Sequence, residues 1–264
     1  MRFTRNLNNS FYYLILLCCC ISSCTIVKNA PSGKPFVFNN AINITGNLNK
    51  DEKKKLTNEL ANYWDDSLYA RKVQQLGVRF VLKNPPVFDT INLARTETFM
   101  KGYLNSQGYY NARFTNIDSA YRFDTTENQV RTTISLTIDP GKSLIIDSLY
   151  YDLKDSALDR ISRNNRKKSY IKEGKTAFSK QVIATELDRE VALFRQRGYF
   201  LLTRENLYAE VDTTDLSLLT LTADPFEQAQ RIAAATQRRL ENPTCIVAIK
   251  KRQNPDSLIA LSDS

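Results

Sequence analysis

The chain contains no histidine. Ser-His-Asp and Cys-His catalysis and histidine metal sites are therefore out of reach. Cysteine is scarce where it counts. Of five cysteines, Cys18, Cys19 and Cys20 sit in an amino-terminal apolar run, Cys24 follows it, and Cys245 alone lies in the body of the chain. The body can form no internal disulfide, and a thiolate zinc site would need several cysteines. Neither GxxxxGK[ST] nor GxGxxG occurs, so no phosphate cradle is signalled. No cofactor, no metal and no catalytic residue is expected, and the chain reads as no enzyme. Acid is missing from the amino terminus as well, the first being Asp51. The longest apolar run, Phe11 to Ile21, falls short of the roughly 20 residues that a membrane-crossing helix needs.

What is present at the amino terminus is ordered as an export signal. Arg2 and Arg5 give a positive start, Phe11 to Ile21 has the length of a signal-peptide core, and Ser22-Ser23 are small residues before Cys24. This pattern resembles the bacterial lipobox, with Ile21 where leucine is more usual. The resemblance implies cleavage after residue 23 and lipidation of Cys24, giving a protein anchored to the cell envelope by lipid. An ordinary secretory signal with an incidental cysteine is the alternative.

The formal charge is +9, and +7 once Arg2 and Arg5 leave with the signal. Basic residues cluster at Lys53-Lys54-Lys55 and from Arg160 through Arg163, Arg166, Lys167 and Lys168 to Lys172. Nucleic acid is not the expected partner of an exported chain. Anionic lipid or acidic clients fit better, and a solvated helix face is the plainer account.

Residues 24–35, with Pro31, Gly33 and Pro35, read as a lipidated tether. Phe36 to Thr45 reads as a strand. Asn49 and Glu52 form an N-x-x-E capping pattern ahead of Leu56, Leu60, Tyr63 and Trp64 at helical spacing. Asp65-Asp66-Ser67 is expected to cap a further helix through Leu68, Val73 and Leu76. Adjacent acids here cap rather than form a glycosidase pair, and Trp64 reads as a core anchor rather than a sugar platform. A helix is predicted from Thr90 to Gln107, with Leu93, Thr96, Met100, Tyr103 and Leu104 on one face and Gly108 as its stop. Strands are predicted at Tyr109 to Ile117 and at Val130 to Asp139, the latter alternating Val130, Thr132, Ile134, Leu136 and Ile138 with polar residues. Asp139-Pro140-Gly141 is a turn.

The pattern then returns. Ser143 to Leu153 reads as a strand and Ala157 to Arg166 as a basic helix. Ser179 caps a helix carrying Ile183, Leu187, Val191 and Phe194, and Gly198 closes it. A strand from Tyr199, a helix from Phe226 to Leu240 and a strand from Thr244 to Lys250 follow. Tyr103-Leu104-Asn105-Ser106-Gln107-Gly108-Tyr109-Tyr110 repeats as Leu193-Phe194-Arg195-Gln196-Arg197-Gly198-Tyr199-Phe200, ninety residues on. Such self-similarity signals tandem modules. Each reads β-α-α-β-β, an α+β unit with two helices covering one sheet face. The aromatics Tyr109, Tyr110, Tyr199 and Phe200 are expected in the core.

This order resembles the POTRA (polypeptide-transport-associated) domain of the Omp85 superfamily. The resemblance rests on Gly108-Tyr109-Tyr110, the Asp139-Pro140-Gly141 turn, and the stretches Asn62-Tyr63-Trp64-Asp65-Asp66-Ser67-Leu68 and Asn84-Pro85-Pro86-Val87-Phe88-Asp89. With the lipobox, it is similar to the TamA/BamA-like outer-membrane assembly lipoproteins of Bacteroidetes. It implies a signal peptide at 1–23, a tether at 24–35, two POTRA-like modules at 36–141 and 142–252, and a polar tail at 253–264. In that family a barrel follows the POTRA domains. Here Asn254-Pro255-Asp256-Ser257 and a short polar end follow instead, so the expectation is a truncated product or a stand-alone POTRA lipoprotein.

The implied role is binding, at the periplasmic face of the outer membrane, of unfolded β-barrel proteins or assembly-complex subunits. An exposed strand edge offers unpaired N–H and C=O groups to an extended peptide. By the resemblance, the edge is the second strand of each module: Tyr110, Asn111, Ala112, Arg113, Phe114 and Thr115 in the first, and Tyr199 to Arg204 in the second. The alternative is an envelope lipoprotein with a structural or anionic-lipid-binding role.

Overall fold

A computed structural model describes residues 25–75, 79–126, 129–214 and 224–252. The fold is α+β, with three small sheets and five α-helices among those residues. Contacts group the described residues into two compact units. One lies within Met1–Asn43, Leu56–Phe99 and Thr115–Thr137, the other within Ile44–Lys55, Met100–Phe114 and Ile138–Ser264.

The smallest sheet has the order β1-β4-β3, from β1 (Ile26–Lys28), β4 (Arg79–Lys83) and β3 (Lys72–Gln75). Two expectations are corrected here. The tether contains a strand, because Ile26 to Lys28 pairs in parallel with Val81 to Lys83. The helix expected through Leu68 and Val73 is a three-residue 3-10 turn, Asp66–Leu68, followed by the antiparallel pair β3–β4. Leu68 is buried but Val73 is 59 % exposed, so no single helical face unites them. Leu76 lies outside the described residues.

The second sheet has β2 (Phe36–Ile44) beside the central β7 (Gln129–Asp139), whose other neighbours are β5 (Arg113–Phe114) and β6 (Tyr121–Thr126). The alternation read in β7 is present, with Thr132, Ile134, Leu136 and Ile138 all buried. Helix α1 (Lys50–Leu60) starts on the expected box: Glu52 N–H donates to Asn49 Oδ1 at 2.8 Å and Asn49 N–H to Glu52 Oε2 at 3.3 Å. Helix α2 (Thr90–Ser106) buries Leu93, Thr96, Met100 and Leu104. Each such large apolar side chain stabilises the fold by about 1.5–3 kcal/mol. Trp64 is buried as expected, and Asp65 caps the 3-10 turn through Ser67 N–H while its own N–H donates to Thr96 Oγ1 at 3.0 Å.

The third sheet runs β8-β10-β9, from β8 (Ile145–Asp152), β10 (Thr244–Lys251) and β9 (Leu207–Asp212). β10 is parallel to β8 and antiparallel to β9. Helices α3 (Ser156–Asn164) and α4 (Lys180–Gln196) precede β9, and α5 (Pro225–Glu241) lies between β9 and β10. Ser179 caps α4 as read, accepting from Val182 N–H at 3.1 Å. Ile146, Leu149, Leu187, Phe194, Val247 and Ile249 form part of one buried cluster. Glu186 and Glu190 are buried with it, and Arg189 pairs with both.

The repeat in the sequence is a repeat in backbone geometry. Gly108 and Gly198 both have left-handed φ, +85° and +98°. Tyr109 N–H reaches back to the Leu104 carbonyl at 2.9 Å, and Tyr199 N–H to the Phe194 carbonyl at 3.1 Å. The two larger sheets also share one strand order: first strand, last strand, then the strand between them in sequence.

Candidate functional site

Among the described residues, the second strand of each larger sheet has one strand neighbour, the central β7 or β10. In the first sheet this edge is broken in two. Arg113 and Phe114 pair with Asp139 and Ile138. Thr115 ends the pairing: its N–H and its hydroxyl both donate to the Thr137 carbonyl, at 2.9 and 2.8 Å. The chain then leaves the ladder through a 3-10 turn, Ile117–Ser119, capped by Asn116. It rejoins where Ser135 N–H donates to the Ala120 carbonyl at 2.7 Å, and continues as β6 against Gln129 to Ile134.

Antiparallel pairs alternate between bonded and non-bonded positions. Thr115 faces β7, so Arg113 does too, and Phe114 presents its N–H and C=O away from the ladder. From Ala120, the same count sets Arg122, Asp124 and Thr126 toward β7. Tyr121, Phe123 and Thr125 direct their main-chain groups to the open side. The open edge is thus a short piece at β5 and a longer one at β6, separated by an irregular turn of the kind that discourages edge-to-edge aggregation.

The sequence-predicted residues divide accordingly. Tyr110, Asn111 and Ala112 precede β5 in a turn, not in a strand. Tyr110 is half exposed and stacks at 6.2 Å on Phe178. Arg113 and Phe114 are on the edge, and Thr115 closes it. Lys101 Nζ lies over the Phe114 ring at 5.4 Å. Cys24 lies outside the described residues. The second predicted edge is displaced: residues 199–203 are turn and loop, Arg204–Asn206 is a 3-10 turn, and the strand is β9. The shared glycine step opens a turn in both repeats, so the aromatic pair splits. Tyr109 is buried and Tyr199 packs against the core cluster, while Tyr110 and Phe200 face water.

Residues 121–126 were missed in the sequence. The signal was present: Tyr121, Phe123 and Thr125 alternate with Arg122, Asp124 and Thr126 just before a polar pair and the clear β7 pattern. Tyr121 and Phe123 lie 5.5 Å apart, and Phe88 is 4.6 and 5.7 Å from them. This aromatic trio borders the open side of β6, with Phe123 half exposed.

On β9, the pairing that ends at Lys251 opposite Leu207 is extended by Arg252 N–H donating to the Asn206 carbonyl at 2.8 Å, so Leu207, Ala209 and Val211 turn their main-chain groups outward. Charged and stacked groups flank this edge. Lys250 pairs with Glu210 at 2.5 Å, and the Arg252 guanidinium lies 5.3 Å from the Tyr208 ring. The basic run after residue 160 is partly absorbed by structure: Arg163 meets Asp159, and Arg166 meets Glu173 and the Leu149 carbonyl. No helix among the described residues is long and apolar enough to cross a membrane.

No protein-family model matches the chain. No curated protein matches it either. Among solved structures, it is similar to POTRA domains 3–5 of BamA from Haemophilus influenzae, at 13 % identity and a TM-score of 0.29, covering 85 % of this chain and 100 % of that one. BamA from Haemophilus ducreyi lacking POTRA domains 1–3 gives 14 % identity and 0.34, covering 82 % of this chain and 30 % of that one. POTRA domains 1–2 of Omp85 from Anabaena give 11 % identity and 0.31, covering 85 % and 99 %.

Proposed function

We propose that this chain is the periplasmic POTRA region of an outer-membrane assembly factor, with two modules at 36–141 and 142–252. It binds unfolded β-barrel segments or assembly subunits by strand addition and acts as a scaffold rather than an enzyme. Lipid on Cys24 tethers it to the outer membrane at the periplasmic face. The observation that carries this reading is the repeated strand order, which among the described residues leaves the second strand of each larger sheet with an open side. Main-chain pairing accepts many client sequences, and the Phe88–Tyr121–Phe123 platform favours clients with apolar residues at every second position.

The test is peptide binding by fluorescence anisotropy, using an extended peptide of alternating apolar and polar residues. Thr125→Pro removes an outward N–H and should leave the fold intact. Each lost ladder bond is worth about 0.5–1.5 kcal/mol, so affinity should fall roughly two- to tenfold. Phe123→Ser should weaken binding as well. Unchanged affinity in both variants would exclude β6 as the receiving edge. Labelling with a palmitate analogue should mark the native chain and spare Cys24→Ala; equal labelling of both would exclude the anchor.

A further inference from the structure

The second compact unit holds a cavity of about 560 Å3 that no residue of β6 lines. Its apolar lining includes Tyr110, Leu144, Val211 and Leu240, and Lys142 and Arg239 stand at its polar side. Among the described residues, no acidic one lines it. Both cations are exposed and, among the described residues, neither belongs to an ion pair. Lys142 donates to the Glu241 main-chain carbonyl, and Arg239 reaches only the Thr213 hydroxyl at 3.4 Å. Their hydrogen-bond partners are neutral, and the carboxylates nearest Arg239, Asp147 and Asp212, line the adjoining cavity rather than this one, so this cavity combines an apolar wall with a positive end.

Helix α5, which supplies Leu240 and Arg239, is turned in an unusual sense. Only Ala235 is buried along its whole length. Phe226, Ala233 and Leu240 recur every seven residues on one stripe, and Phe226 and Leu240 are 70 % and 55 % exposed. The helix keeps its small residue inward and presents its apolar stripe outward, and of that stripe Leu240 lines the cavity.

We propose that this cavity binds a single-chain amphiphilic anion. The acyl chain lies along Tyr110, Leu144, Val211 and Leu240, and the carboxylate or phosphate meets Lys142 and Arg239. The volume falls in the range of small-molecule sites, about 300–1,000 Å3, which holds one chain rather than a bilayer patch. The positive end selects an anion, and the apolar wall argues against a nucleotide or a simple sugar. The site is independent of the β6 edge.

The experiment titrates the full chain with oleate, with 1-oleoyl-lysophosphatidic acid and with uncharged monoolein, each as monomer, by calorimetry. Saturable binding of an anionic amphiphile, with monoolein weaker, is expected. The two anions separate a carboxylate source from a phosphate source. Lys142→Gln with Arg239→Gln should weaken the anion about tenfold, the scale of one or two exposed charge-assisted bonds, and leave monoolein unchanged. Thr236→Trp, which fills the cavity from an exposed helical position, should abolish both. Equal affinity for oleate and monoolein would overturn the proposal. Binding confined to phosphatidylglycerol vesicles, or unaffected by Thr236→Trp, would overturn it too. Peptide binding at β6 should persist throughout, so failure here and failure there are told apart.

Discussion

The Ser162 hydroxyl donates to Glu190 Oε2 at 2.6 Å, where both side chains are sealed from water. Arg189 pairs with Glu190 and Glu186, two buried carboxylates sharing one guanidinium, and Tyr151 adds a buried hydroxyl without a hydrogen-bond partner among the described residues. Burial drives the Glu190 carboxyl above its ordinary value, Glu186 adds to the rise, and the Ser162 bond and Arg189 offset part of it. Below about the unfolded value of 4.5 this group's contribution to stability is fully present. It is lost as pH rises through the higher folded value. Glu190→Gln should therefore flatten the fall in melting temperature as pH rises above about 4.5, and match or exceed the parent at the alkaline end of the profile. A variant that melts lower at pH 8 with an unaltered pH profile would show that the carboxylate is stabilising when ionised.

Gly108 and Gly198 occupy equivalent places but differ in surroundings. A Cβ at Gly108 would meet the Phe178 carbonyl oxygen at 2.7 Å, whereas at Gly198 nothing lies within 4 Å. Both alanine variants bear the left-handed backbone penalty of about 1–2 kcal/mol. Gly108→Ala bears the close contact as well. Thermal melts should show Gly198→Ala lowered by a few degrees and Gly108→Ala lowered by clearly more. Equal shifts would mean that the Phe178 backbone gives way without cost.

Local signals were the legible ones. The Asn49–Glu52 box, the Ser179 cap, the two glycine stops and the β7 alternation each state their structure within one or two turns of chain. The α5 helix and β10 were also readable from their own residues. Pairings across long separations were not. Nothing near Ile26 says that it will align with Val81, and β3 has only four residues, too few to show a period. The glycine-aromatic step, shared by both repeats, reads as the start of a strand; in each, the chain first turns and packs one aromatic. The candidate edge suffered most, since which N–H faces outward depends on register with β7.

Cys245 supplies a check on the third sheet. Its thiol is 2 % exposed, and burial, with Asp147 nearby, pushes it up to about 11. Both access and thiolate fraction are suppressed. With Cys24 replaced by alanine in a chain lacking the signal, iodoacetamide at pH 8 should leave the folded protein unmodified and react once denaturant unfolds it. Rapid alkylation under native conditions would mean that β10 opens readily.

The register along β6 makes a sharper demand than its mere presence. Asp124 lies opposite Arg131, and Thr125 opposite Val130. If Asp124 is a bonded position, its N–H donates into the ladder; if Thr125 is not, its N–H is free for a client. Proline at 124 then removes a native bond and presses its ring toward β7, while proline at 125 removes none. Both sites are exposed, so side-chain burial contributes little to the contrast. Asp124→Pro should lower the chemical-denaturation midpoint markedly, and Thr125→Pro should stay near the parent. The same logic applies to β5: Arg113 faces β7, so Arg113→Pro should destabilise β5 rather than probe its open side. A reversed order, with Thr125→Pro the more damaging, would mean that β6 pairs one residue out of step, and the outward groups of Tyr121 and Phe123 would then belong to the ladder.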